Sequence, residues 1–154
     1  MNLAFALSLN MRKIFAAGFL LMLAFSARGQ SVSAKDLIRM LDNSDKVGFL
    51  KGKSFSLVLS DIDEKGLTQS FVKGGGTPQR ESVFITAKTV SYMTRSKAYI
   101  DNLLSQLKKQ YKQTGSDEGS DFTYYQFDAG NHLHVSINIP RSAGNYYSLE
   151  VIEQ

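Results

Sequence analysis

Residues 122–152 read FTYYQFDAGNHLHVSINIPRSAGNYYSLEVI, and the way this stretch alternates decides the fold. Three strand-like runs, 122–128, 132–139 and 146–152, are separated by Gly130-Asn131 and by residues 140–145. In the middle run Leu133, Val135, Ile137 and Ile139 point one way, while His132, His134, Ser136 and Asn138 point the other. In the last run Tyr147, Leu149 and Val151 form the apolar set, leaving Tyr146, Ser148, Glu150 and Ile152 on the open side. The face of the first run depends on its turn. A two-residue turn at Gly130-Asn131 would bury Gln126 and Asp128 and expose Tyr125 and Phe127. A three-residue loop, 129–131, pairs Asp128 with His132 and Gln126 with His134, and it buries Tyr125 and Phe127. A slip of one residue reverses every side chain, so burial selects the longer loop. The open face is then expected to carry Phe122, Tyr124, His132, His134 and Tyr146.

Upstream, Ile100, Leu103, Leu104, Leu107 and Tyr111 recur at helical spacing behind Ser96, and Gly115 is expected to close that helix. Residues 116–121 read as an acidic turn. Ser33 to Asp42 predicts a shorter helix, with Ser33 as its cap and Asp36 at the capping-box position. Strands are expected at Phe55–Leu59 and Leu67–Lys73, with a turn over Asp61–Gly66. Residues 82–93 read as one long strand with a bulge, after a loop at Gly74–Pro78. The order is therefore helix, three strands, helix, three strands.

That order suggests a duplicated α-β-β-β unit, with repeats at 33–94 and 96–154. Leu37, Met40 and Leu41 match Ile100, Leu103 and Leu104 at an offset of 63, and Phe71 and Gly74 match Phe127 and Gly130 at an offset of 56. The expected class is α+β: two helices packed on one face of an antiparallel sheet. The order resembles the tandem architecture of the β-lactamase-inhibitor-protein-like fold. The resemblance spans residues 33–154 and rests on element order, with no diagnostic motif. It implies target binding through the sheet face. A cystatin-like or other single-helix-on-sheet layout is the competing arrangement.

The chemical motifs are sparse. Asp61, Asp63 and Gly66 sit at positions 1, 3 and 6 of a calcium-loop pattern, but Lys65 and Val72 fill positions that need oxygen ligands, so a hairpin turn is expected. Gly74 to Gly76 lacks the Lys-Ser/Thr of a phosphate cradle. No serine sits in a Gly-x-Ser-x-Gly elbow. His132 and His134, the two histidines of the chain, would share one strand face, as a metal pair requires, but no spacing supplies a third ligand. With no cysteine, a disulfide scaffold, a thiol nucleophile and a Cys-based zinc site are excluded.

The N-terminal segment gives an address. Arg12 and Lys13 precede an apolar run from Ile14 to Phe25, and small residues follow at Ala27 and Gly29, the order of a secretory signal peptide over residues 1–29. Met11 is the more natural start for such a leader. The segment resembles signal peptides common in Bacteroidetes-type bacteria. Cleavage is expected near Gly29-Gln30, leaving residues 30–154 as one secreted or periplasmic domain. The apolar run is too short to span about 30 Å of hydrocarbon, so a membrane-spanning protein is not expected. Of 18 basic residues the leader holds Arg12, Lys13 and Arg28, so 15 remain against 14 acidic ones. Nothing in that balance suggests a nucleic-acid partner. The expected function is non-enzymatic binding of a protein or peptide through the open aromatic face, without a cofactor. The alternative is a small envelope enzyme or metal-dependent hydrolase centred on His132 and His134.

Overall fold

The computed structural model describes residues 32–64, 66–76, 79–142 and 144–154. The leader and its cleavage site lie outside them. Among the described residues, three helices, α1 (Ala34–Arg39), α2 (Lys46–Gly52) and α3 (Lys97–Gln110), accompany eight strands. These are β1 (Ser56–Asp63), β2 (Gly66–Lys73), β3 (Glu81–Ile85), β4 (Thr89–Thr94), β5 (Lys112–Glu118), β6 (Phe122–Gly130), β7 (Leu133–Pro140) and β8 (Tyr147–Glu153). All strands join one antiparallel sheet in the order β1-β2-β3-β4-β8-β7-β6-β5. The α+β class stands, but each half contributes four strands instead of three, and a third helix precedes β1.

Local chemistry explains the helix starts. Ser33 Oγ accepts the Asp36 N–H at 3.1 Å and Asp36 Oδ2 accepts the Ser33 N–H at 2.9 Å, so the expected capping box is formed. Burial alone would raise the Asp36 pKa, but the hydrogen bonds with Ser33 and the nearby Lys53 ammonium outweigh it and hold the carboxyl below its usual range. This stabilisation is present above the ordinary carboxylate pKa and is lost as pH falls through the lowered value. Ser33→Ala should remove about 1 kcal/mol of stability, read as a lower urea midpoint. The helix α2 starts at Asp45, whose Oδ1 accepts the Gly48 N–H at 2.8 Å. In α3 Ser96 is the N-cap residue but makes no side-chain cap bond, and the helix ends at Gln110, not Gly115.

The helices α1 and α3 touch each other and β4, and α3 also lies on β8. Ile100, Leu103 and Leu107 of α3 are fully buried, whereas Leu104 is half-buried at the edge of that stripe. The sheet meets them with Phe71, Val83, Tyr92, Leu149 and Ile137 along one cross-strand row, and with Ile85, Val90, Val151, Val135 and Phe127 along the next.

The two terminal hairpins repeat each other residue by residue. Adding 56 to both members of a β1–β2 pair gives a β5–β6 pair: Ser56↔Val72 becomes Lys112↔Asp128, and Ile62↔Leu67 becomes Glu118↔Thr123. Even the bulges coincide, since the register skips Val58 in β1 and Thr114 in β5. The helices follow at the offset expected from sequence: Leu37, Met40 and Leu41 have the same burial as Ile100, Leu103 and Leu104. The halves meet at β4 and β8, where Ser91 faces Glu150 and its hydroxyl donates to Glu150 Oε1 at 3.2 Å.

One buried position differs in character between the halves. Phe71↔Val83 corresponds to Phe127↔Val135, so Glu81, two residues before Val83, corresponds to Leu133. Glu81 is only 2% exposed and its Oε2 accepts the Tyr92 hydroxyl at 2.9 Å. A buried polar network thus stands where the second half has leucine.

Candidate binding face

Residues whose side chains alternate with the buried rows make up the face that carries no helix. Small polar residues sit low on it at separate places: Ser70 of β2 and Ser82 of β3 are 5% exposed, and Ser136 of β7 is 8% exposed. Larger side chains stand beside Ser136. Tyr124 opposes Asn138, Asp128 opposes His134, and His134 opposes Ile152. Tyr124, Gln126, Asp128, His134, Ser136 and Ile152 line a groove of about 390 Å³. Gln126 Nε2 donates to the Tyr124 hydroxyl at 3.2 Å, and its carboxamide lies over Gly115, where a Cβ would come within 2.9 Å of Gln126 Oε1. The missing side chain on β5 is what lets Gln126 lie across the strand.

Of the five residues expected on this face, the structure brings Tyr124 and His134 together in the groove and keeps Phe122 on the same face farther along β6. Phe122, 46% exposed, and half-buried Tyr124 share a face of β6, and exposed His134 joins Tyr124 from β7. His132 does not. It occupies the β6–β7 turn with φ 61, next to Asn131 with φ 50, the paired left-handed geometry of a tight two-residue hairpin. Its carbonyl accepts the Gln154 N–H at 3.0 Å. Tyr146 precedes β8, at the opposite end of that strand, and its ring carries the Arg95 guanidinium at 4.7 Å. Half-buried and covered on one ring face by a cation, it belongs to the β4–α3 junction and not to the groove.

The register differs from expectation in an instructive way. Asp128 pairs with His134, not His132, and Gln126 pairs with Ser136, because the turn is two residues long with a bulge at Ala129. A shift of two leaves every side chain on its expected face, so Phe127 is buried and Gln126 exposed.

Sequence reasoning missed Phe84, 37% exposed on the same face of β3, because residues 82–93 form a hairpin and not one strand. The turn closes through the Thr86 N–H donating to the Thr89 carbonyl at 2.9 Å. Missed as well is the exposed apolar edge of β1, where Val58 is 60%, Leu59 53% and Ile62 78% exposed. Among the described residues no group of three His, Asp or Glu side chains converges as a metal site. Nor is any helix there long and apolar enough to cross a membrane. No protein family, no curated protein and no solved structure matches the chain.

Proposed function

We propose that this is a secreted or periplasmic, non-enzymatic binding protein that recognises a protein or peptide through the helix-free face of its sheet. The observation that carries the reading is a polar groove lined by half-buried Tyr124, exposed His134 and Ser136, with exposed Phe122 on the same face of β6. Tyrosine and phenylalanine bury much area with few rotors to freeze. The likeness of the element order to the β-lactamase-inhibitor-protein-like fold supports the reading, although four strands per half depart from the three of that comparison. The signal-peptide pattern in residues 1–29 supports the export.

The test is a comparison of affinities. A polypeptide captured by the protein from an envelope extract is purified, and its binding is titrated against Phe122→Ala and Tyr124→Ala. Each substitution should weaken binding by about 2 kcal/mol, roughly 30-fold, if these are anchor residues. Both variants should melt close to the parent, because neither side chain enters the core. Unchanged affinity in both would remove the open face from consideration.

A further inference from the structure

The strands β1 and β5 are the two edges of the sheet and occupy equivalent positions, so each is a control for the other. At the offset of 56, Leu57, Val58, Leu59 and Ile62 of β1 become Gln113, Thr114, Gly115 and Glu118 of β5. Folding therefore does not demand apolar side chains there, since β5 closes its edge with polar ones. Polar and charged residues at an edge keep other chains from pairing with it. On the edge strand β1 charged residues are confined to Asp61 and Asp63 at its end, and Leu57, Val58, Leu59 and Ile62 are between 39% and 78% exposed. On the two faces of the sheet these are continued separately: Leu67, 44% exposed, stands beside Ile62 on the helix side, and Phe84, 37% exposed, lies in the row of Leu59 on the open side.

The backbone states what kind of group fits. Asp63 and Gly66 close the hairpin as a pair, and such a closing pair exchanges hydrogen bonds. Alternate residues then aim their N–H and C=O groups away from β2, which places those of Ser60 and Ile62 on the outer edge. Consistent with this, the Ile62 N–H donates to its neighbour's Asp61 Oδ1 at 2.9 Å. Outward amides in a row are matched by an extended backbone, not by a helix or a small molecule.

Charge decides between a second copy and a different chain. Antiparallel self-pairing that keeps the two faces in register centres on one residue of β1. Centred on Asp61 it sets that carboxylate against its own copy, and centred on Ser60 it sets Leu59 against Asp61. Neither is favourable. Asp61 makes no ion pair among the described residues, and Glu64 follows it at the exposed hairpin tip. A strand with a lysine or arginine opposite Asp61 would complete both the hydrogen-bond ladder and the charge.

We propose that the β1 edge docks an extended segment of another polypeptide, adding a ninth strand beside Ser60 and Ile62, with apolar side chains against Leu59 and Ile62 and a basic one against Asp61. This goes beyond the open-face reading and stands without it. On docking, the segment's carbonyl takes the Ile62 N–H and releases the Asp61 carboxylate to the incoming cation.

The probe is the blocked peptide acetyl-Thr-Val-Thr-Val-Lys-Val-Val-amide, titrated into the purified protein with amide hydrogen exchange followed by NMR. In antiparallel register it sets its lysine on Asp61, the valine before that lysine on Ile62 and its last valine on Leu59. Protection should rise at Ser60 and Ile62. Ser60→Pro, which removes an outward N–H not used by the β1–β2 ladder, should cut affinity about tenfold or more with little change in melting temperature. Ile62→Glu, which copies the residue β5 carries, should do the same if the proline variant fails to fold. A peptide with glutamate in place of lysine should bind more weakly, and Tyr124→Ala should bind the lysine peptide as the parent does. Undiminished binding in both β1 variants, or no added protection at Ser60 and Ile62 at millimolar peptide, overturns the proposal. So does concentration-dependent self-association that Ser60→Pro abolishes, because the occupant would then be a second copy.

Discussion

Phe127→Ala and Phe71→Ala should each lower stability by about 3–5 kcal/mol, measured by urea denaturation. Both rings are 0% exposed and hold equivalent positions in the repeated hairpins, so each substitution opens a cavity where helix and sheet meet. The two lie five strand spacings apart in the order β2-β3-β4-β8-β7-β6, on the order of 24 Å, too far to share a cavity. Their costs should therefore add to within about 0.5 kcal/mol. The double variant would then lose about 6–10 kcal/mol, comparable to the entire stability of a domain this size, and should be unfolded without denaturant. Tyr124→Ala, on the opposite face of the same strand as Phe127, should stay close to the parent. If Tyr124→Ala lost more than Phe127→Ala, the buried and open faces would have to be exchanged.

The second large effect is expected at Glu81. Its carboxylate is buried and accepts the Tyr92 hydroxyl, itself 0% exposed. Glu81→Ala leaves that hydroxyl short of a partner and opens a cavity, and it should cost about 3 kcal/mol. Glu81→Leu combined with Tyr92→Phe removes this polar pair, leaving the Thr94 side chain that also bonds Tyr92, and installs the residue type found at the equivalent Leu133. That double substitution should be near neutral or stabilising, because the desolvation of a carboxylate is no longer incurred. A double variant as unstable as the single one would mean that the network contributes more than it costs. The same network gives a pH signature. Burial first, then the Glu81 charge, raises the Tyr92 pKa far above the value of about 10 for a free tyrosine. Tyr92 thus stays protonated in the folded chain while an unfolded one ionises. This stabilisation is fully present below about pH 10 and falls as pH rises further, so Tyr92→Phe should flatten the alkaline loss of stability.

The sequence made the apolar face of each C-terminal strand legible because a period of two survives any even error in register. Asp128 was expected opposite His132 and stands opposite His134, yet Phe127 still reached the core. His132 fared worse, since it lies in the turn itself, where left-handed φ values and not alternation set its direction. The strand β5 left no periodic signal: nothing in Lys112–Glu118 is apolar, because both of its sides meet solvent or the edge. The β3–β4 turn at residues 86–88 contains no glycine, proline or asparagine, so two strands read as one. The helix α2 holds Gly48 and Gly52 and drew no helical expectation; its start rests on a single Asp45 cap. In β1 the alternation of Phe55, Leu57 and Leu59 suggested one buried face. Phe55 is buried, but the bulge at Val58 turns Leu59 to the opposite side.

The meeting of β4 with β8 carries a consequence for how the chain is assembled. The strand latest in sequence lies at the centre of the sheet, between β4 and β7, and Ser91 finds Glu150 across a long stretch of chain. The hairpins β1–β2 and β5–β6 close between near neighbours and can form early, whereas the central pairing must wait for distant loop closure. Until β8 enters, β4 and β7 are temporary edges with buried-face residues uncovered, and a nascent chain exposes both. The β4–β8 pairing is therefore the step expected to form last, and the window for misassociation closes only when it is in place.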